Sequence, residues 1–257
     1  MAAYLFPLAR ILALLAVAPP FNHTALPARV KAALGIAICV ALVPTLPPQA
    51  VIAPGSWTGL LVLAQQMLIG IALGFVLRIT FAAVELAGEV VSMQMGLGFA
   101  VMYDPAQASQ SSVLTQFLGL IALLLFLAMN GHLLMLHALA QGFTLLPVSG
   151  LPVSAKGWQS LVRFATTLFA TGVLLSLPLI AALLLTNVAL AVLTRAAPTL
   201  NLFSLGFPIT LATGFGVLAL SLSYMAPLLE RAFDNALDTL GRWHSLAAPL
   251  NTGLTGP

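Results

Sequence analysis

An all-α membrane protein is the fold this sequence predicts, made of apolar helical hairpins of which several are broken by proline or glycine. Three observations carry that expectation. Hydrophobic residues make up 61% of the 257 residues and charged ones only 6%, against about 25% charged in a soluble domain. Nine Lys+Arg and six Asp+Glu cannot cover a water-facing surface with charge, so lipid or other apolar subunits must be the solvent for most of the chain. No segment alternates polar and apolar residues with period two, which speaks against a transmembrane β-barrel.

The elements follow in order. Crossing a hydrocarbon core of about 30 Å takes about 20 apolar residues in a helix. The first apolar segment is Tyr4–Ala18, closed by Pro19 and Pro20. A cleaved signal peptide is the competing reading of this stretch. It would need a basic leader, yet the one early charge, Arg10, sits in mid-segment, so a retained membrane helix is expected. The second segment is Val30–Val43, closed by Pro44, Pro47 and Pro48. The third is Leu60–Val84, and the fourth, Val90–Met102, is apolar but too short to cross. The fifth, Val113–Ala140, carries no charge. The sixth, Leu161–Leu193, would be about 50 Å long as one helix and must tilt, bend at Pro178 or turn back. The seventh is Phe207–Leu229.

From Glu230 the pattern changes. Phe233, Leu237, Leu240 and Trp243 recur at helical spacing, while Glu230, Asp234 and Asp238 take another face. Residues 230–257 therefore form an amphipathic, water-facing and cytoplasmic tail on a single membrane domain spanning 1–257. Charge does not decide orientation. Arg29, Lys31 and Arg195 fall on one side of a simple zigzag, and Lys156, Arg163, Arg231 and Arg242 on the other.

Catalytic signatures are missing. His132 and His137 lie five residues apart with no carboxylate between them, unlike the pair one turn apart that binds zinc in membrane proteases. Asp104 has no second aspartate in an apolar segment to share a proton with. No nucleophile elbow and no phosphate-binding loop occurs. No basic run suggests nucleic acid. Neither a cofactor nor a metal is expected, and Cys39, the single cysteine, reads as an inert buried thiol.

Other residues carry more information. Arg78, Glu85 and Glu89 fall within about 60° of one helix face. They form either a structural ion pair near the headgroups or a buried charged face that lines a polar path or a subunit contact. Gly70 and Gly74 have the spacing of a helix-packing pair. The stretch from Gly96 and Gly98 through Phe99, Met102, Tyr103, Asp104 and Pro105 leads into a Gln/Ser run that ends at Ser112. It is either an ordinary loop between spans or a re-entrant loop entering a pore, since irregular backbone at membrane depth survives only inside protein or beside water. Arg195, Pro198 and Asn201 form a polar break between two long apolar segments, a candidate subunit or hairpin contact. A small-solute secondary transporter fits the charged face and the broken segments, although no repeat pair is visible.

Several blocks together resemble a known family. They are Phe6-Pro7-Leu8-Ala9-Arg10, Ala18-Pro19-Pro20-Phe21, Leu26-Pro27-Ala28-Arg29-Val30-Lys31, Gln94-Met95-Gly96-Leu97-Gly98-Phe99 with Asp104-Pro105, Leu125 to His132, and Leu193 to Pro208. In this order along nearly the whole chain they resemble FliR, the flagellar biosynthetic membrane protein family and its type III secretion relatives. Leu133 stands where flagellar members often have a second His, and Ala106 to Ser109 lacks the usual Gly and Thr. The resemblance implies a subunit of an export gate in the bacterial inner membrane, at the flagellar basal body. The gate would pass unfolded flagellar proteins, with FliP-like and FliQ-like subunits as partners and FlhB-like and FlhA-like export components nearby. It also implies hairpins stacked into a helical assembly, a pore plug in the loop from Gly96 to Pro105, and contact roles for Asn130, His132 and Arg195. Flagellum is favoured over the homologous injectisome by Asn130-Gly131-His132.

Overall fold

The structure is a computed structural model that describes residues 2–22, 26–46, 52–97, 112–148, 153–197 and 202–248, with side chains from residue 4 in the first helix and from 206 in the last. Every regular element described is helical: α1 Ala2–Val17, α2 Ala28–Leu42, a 3-10 turn Val43–Thr45, α3 Trp57–Gln94, α4 Val113–Ala128, α5 Gly131–Leu145, α6 Ala155–Ala165, α7 Thr167–Ala196 and α8 Leu202–Ala247. Among the described residues four helices are long and apolar enough to cross a membrane, or five if the bent pair α4–α5 counts as one span.

The ends have local causes. A residue before proline is pushed out of the helical region, and α1 stops just short of Pro19-Pro20. The α4 N-terminus is capped by Ser112, whose hydroxyl accepts the Thr115 N–H at 3.1 Å. Gly96 ends α3 at φ 79. Its N–H donates to the Met93 carbonyl and the Leu97 N–H to the Ser92 carbonyl. That pair of bonds wraps the last carbonyls of a helix around a left-handed residue, a conformation glycine adopts at little cost.

Four expectations are corrected. Segment three and the start of segment four are one helix: α3 runs 38 residues, through Gln94, without a break. Glu85 and Glu89 do not interrupt it, because carboxylates are ordinary helix residues and between Glu85 and Gly96 there is no proline and the one glycine, Gly88, is buried against α4. Segment five is two helices, α4 and α5, bent by 65°. Asn130 makes the bend from the left-handed region, φ 56 and ψ 26, which asparagine tolerates better than most residues. Segment six divides at Thr166 into α6 and α7, and Pro178 lies within α7. The last segment and the tail as far as Ala247 are one helix of 46 residues, with Pro208 and Pro227 inside it. At 1.5 Å per residue α8 is about 69 Å long, more than twice the hydrocarbon thickness. Its end beyond the exposed Glu230, Asp234 and Asp238 lies outside the apolar span.

Packing divides the chain into two units. The first holds α1, α2, α3 to Ile79, α5, α6 and α8 from Phe233. Its core includes Ile11, Leu14, Ile69, Leu73, Phe143, Phe233 and Trp243, with a satellite of Phe6, Val62 and Val148. Here α1 lies so close on α3 that a Cβ on Gly70 would meet the Arg10 backbone oxygen, and one on Gly74 would meet Val17 and Leu14. On the other side of α1, Gly35 of α2 faces Leu12 and Leu15.

The second unit holds α3 from Thr80, α4, α7 and α8 to Ala232. Gly88 of α3 lies against the Thr115 backbone of α4, and Gly172 of α7 against Ala83 and Leu86. Phe81 and Phe126 meet edge to face at 5.8 Å. Small residues set these approaches because lipid-exposed helices associate by close packing rather than by expelling water.

Candidate functional site

The most constrained polar site of the first unit is built on Arg10, which is 0% exposed in the middle of α1. A buried guanidinium must be charged and must place its donors. Its Nε donates to Gln66 Oε1 of α3 at 2.7 Å. Nη1 donates to the Gly142 carbonyl at 3.0 Å, and Nη2 to the Leu146 carbonyl at 2.8 Å. The guanidinium carbon stands 4.2 Å over the Phe143 ring.

No carboxylate takes part. Besides the Gln66 side chain, the partners are two carbonyls at the C-terminal end of α5, where the helix dipole is negative. One planar fork thus caps α5 and fastens it to α1 and α3. Helix α8 closes the site. A Cβ on Gly142 would meet the His244 ring, so glycine makes the room that His244 fills. His244 is 0% exposed, and neither ring nitrogen has a hydrogen-bond partner; the same holds for Gln66 Nε2. Trp243 Nε1 donates to the Gly157 carbonyl of α6 at 3.1 Å, and the Ser154 N–H to the Ala247 carbonyl. These bonds bind the α8 end to α6.

The residues named from sequence fall elsewhere. Arg78, Glu85 and Glu89 do share α3, but Arg78 is exposed and both glutamates are half-buried, so within this chain the face is not a buried one. Thr115 donates its single hydroxyl hydrogen to Glu89 Oε2 at 3.1 Å, so Ser112 donates to Thr115 at 2.7 Å. Asn130 is exposed at the α4–α5 bend. His132, in the first turn of α5, is half-buried with Nδ1 unpartnered. Arg195 is exposed in the last turn of α7, where a cation suits the helix dipole. Gly70 and Gly74 face α1. Of the loop residues, Gly96 terminates α3; Gly98, Phe99, Met102, Tyr103, Asp104 and Pro105 lie outside the described residues, as do Pro198 and Asn201. Cys39 is buried, with Sγ 3.7 Å from the Tyr4 carbonyl. No group of three metal-ligating side chains occurs among the described residues.

Sequence reasoning missed Gln66, Gly142 and His244. Arg10 itself was visible as a lone cation in an apolar helix, a position that demands partners. Those partners are mostly backbone carbonyls more than 130 residues away, which no side-chain pattern announces.

Fold and site together define an all-α membrane protein whose helices meet through glycine contacts and a buried arginine clamp. The chain belongs to the bacterial export proteins, family 1, whose model matches residues 1–236. It is 41% identical to the flagellar biosynthetic protein FliR of Escherichia coli (strain K12) over 237 residues, 92% of this chain and 90% of that protein. It shows the same identity and coverage with the FliR of Pectobacterium carotovorum subsp. carotovorum. With the FliR of Bacillus subtilis (strain 168) it is 28% identical over 243 residues, 93% of each chain.

Proposed function

We propose that this chain is a subunit of the flagellar type III protein export gate, forming part of the channel by which unfolded flagellar proteins cross the inner membrane at the basal body. The observation that carries the reading is the 41% identity to a flagellar biosynthetic protein along 92% of the chain and 90% of that protein. The many exposed apolar side chains, among them Leu120, Leu124, Leu184, Leu185 and Leu220, suit a subunit that meets lipid and other apolar subunits. In this reading the chain acts by forming a passage and catalyses no reaction. FliP-like and FliQ-like membrane subunits are its direct partners, and FlhB-like and FlhA-like components adjoin it.

The segment from Gly96 to Ser112 closes the passage at rest. Its support is the Schellman-type stop at Gly96, which ends α3 ahead of an apolar stretch, Asp104-Pro105 and then an uncharged Gln/Ser run able to meet water.

The experiment is purification of the tagged chain in mild detergent from a strain whose chromosomal copy is deleted. Co-purification with FliP-like and FliQ-like subunits, and loss of flagellar-protein secretion in the untagged deletion strain, are expected. Deleting Ala106–Gln110 leaves the complex assembled and admits a normally excluded solute. A chain that purifies alone from a strain that still secretes flagellar subunits would overturn the reading, and a tight membrane around an assembled complex would remove the plug from it.

A further inference from the structure

We propose that His244 makes the docking of the α8 end pH-sensitive: neutral, it fills the space beside the Arg10 clamp; protonated, it becomes a second buried cation and releases α8 from Phe233 onward. This does not depend on the export reading, and His244 lies past the end of the family match at residue 236.

Geometry carries the argument. His244 is wholly buried in the first unit, its ring against Gly142, whose carbonyl already accepts from Arg10. An imidazolium has two N–H donors to place. The Gly142 carbonyl beside it already accepts from both Arg10 and the Leu146 N–H. The Leu240 carbonyl, one turn earlier on α8, lies near the ring but outside hydrogen-bonding geometry. Both ring nitrogens are therefore without an acceptor, and a charge there meets only another charge of its own sign.

The elements around it supply no acid. Helix α1 brings Arg10. Helix α3 brings the neutral Gln66, and α5 brings His137, exposed and bonded to Gln141 at 3.0 Å. Helix α6 carries Lys156 and Arg163, both exposed. On α8 itself Arg242 and Asp238 are exposed, and the carboxylates of this unit are only Asp234 and Asp238, both at the surface. Seven of the nine Lys+Arg residues belong to the unit, so its field also opposes a further positive charge.

Burial first and the Arg10 charge second hold the His244 pKa down to about 4, with the Leu240 carbonyl pulling weakly the other way. An exposed histidine takes its proton near 6.5. The released end therefore binds the proton and the docked end does not. Docking is at full strength above about pH 6.5 and weakens as pH falls from there toward about 4.

The test is hydrogen exchange of the full-length chain in its native membranes, from pH 7.5 to 4.5, corrected for the intrinsic pH dependence of exchange. Peptides covering 233–247 should lose protection on the order of 50-fold between pH 6.5 and 4.5. His244→Phe, or His244→Gln should the larger ring change fail to fold, should abolish the fall. His137→Gln should retain it. Flat wild-type protection over this range, or an equal fall in the His244 variants, would overturn the proposal.

Discussion

Replacing Arg10 by methionine removes the clamp while keeping a side chain of similar length and flexibility. Three hydrogen bonds go, but not all three acceptors are orphaned. The Gly142 carbonyl keeps its helical donor, the Leu146 N–H at 2.9 Å. The Gln66 amide oxygen and the Leu146 carbonyl lose the guanidinium. Each buried group left without a partner costs about 1–3 kcal/mol, and the lost contact over Phe143 about 1–2 kcal/mol more. Against this, methionine needs no desolvation of an ion, a saving of several kcal/mol. The net is a loss of about 2–4 kcal/mol. Denaturant unfolding of the detergent-solubilised chain, followed by tryptophan fluorescence, measures it. Adding Gln66→Leu removes the orphaned amide, so the double variant should recover about 1–2 kcal/mol of the loss. Wild-type stability in Arg10→Met, or no recovery in the double variant, would refute the account.

The glycines split into two classes. Gly70→Ala drives a Cβ into the Arg10 backbone and should destabilise by about 1–3 kcal/mol. Gly119→Ala and Gly216→Ala, with open space where the Cβ would stand, should stabilise by about 0.5–1 kcal/mol in the same unfolding assay. Asn130→Val puts a β-branched residue in the left-handed region and should cost about 1–3 kcal/mol, whereas Asn130→Gly should be close to neutral. Truncation after Leu229 takes Phe233, Leu240, Trp243 and His244 out of the first unit's core, so it should leave α1 and α6 open to protease rather than merely remove a surface tail.

How far the sequence announced this structure depends on the kind of signal involved. Apolar runs and proline stops place α1 and α2 to within two residues, because both act locally. The apolar runs Leu60–Val84 and Val90–Met102 read as separate segments, although Arg78, Glu85 and Glu89 share one helix face; a carboxylate reports polarity of surroundings, not the end of a helix, and the stop is at Gly96. The break between α4 and α5 is the reverse case. Asn130-Gly131 is a turn dipeptide legible in the sequence, although the sequence reading gives it only a place in a family block and a contact role, and the left-handed backbone shows why asparagine stands there. Gly70 and Gly74 were legible as a close-approach pair, but not the helix that approaches. In the tail, the exposed acids and the apolar stripe were both readable. His244 was not, because a histidine on the apolar side of a helix carries no mark of what it packs against.

The long reach of the clamp also sets an order of events during synthesis. Arg10 is among the first residues made; Gln66 follows 56 residues later, and the Gly142 and Leu146 carbonyls 132 and 136 residues later. At about 5–20 residues per second, α1 therefore waits on the order of ten seconds with an uncompensated cation in its middle. A guanidinium without acceptors is costly to bury in any apolar surrounding. Until α5 has been made, the guanidinium is better left solvated than buried. Its final seat is taken only once the second half of the chain has supplied the carbonyls that receive it.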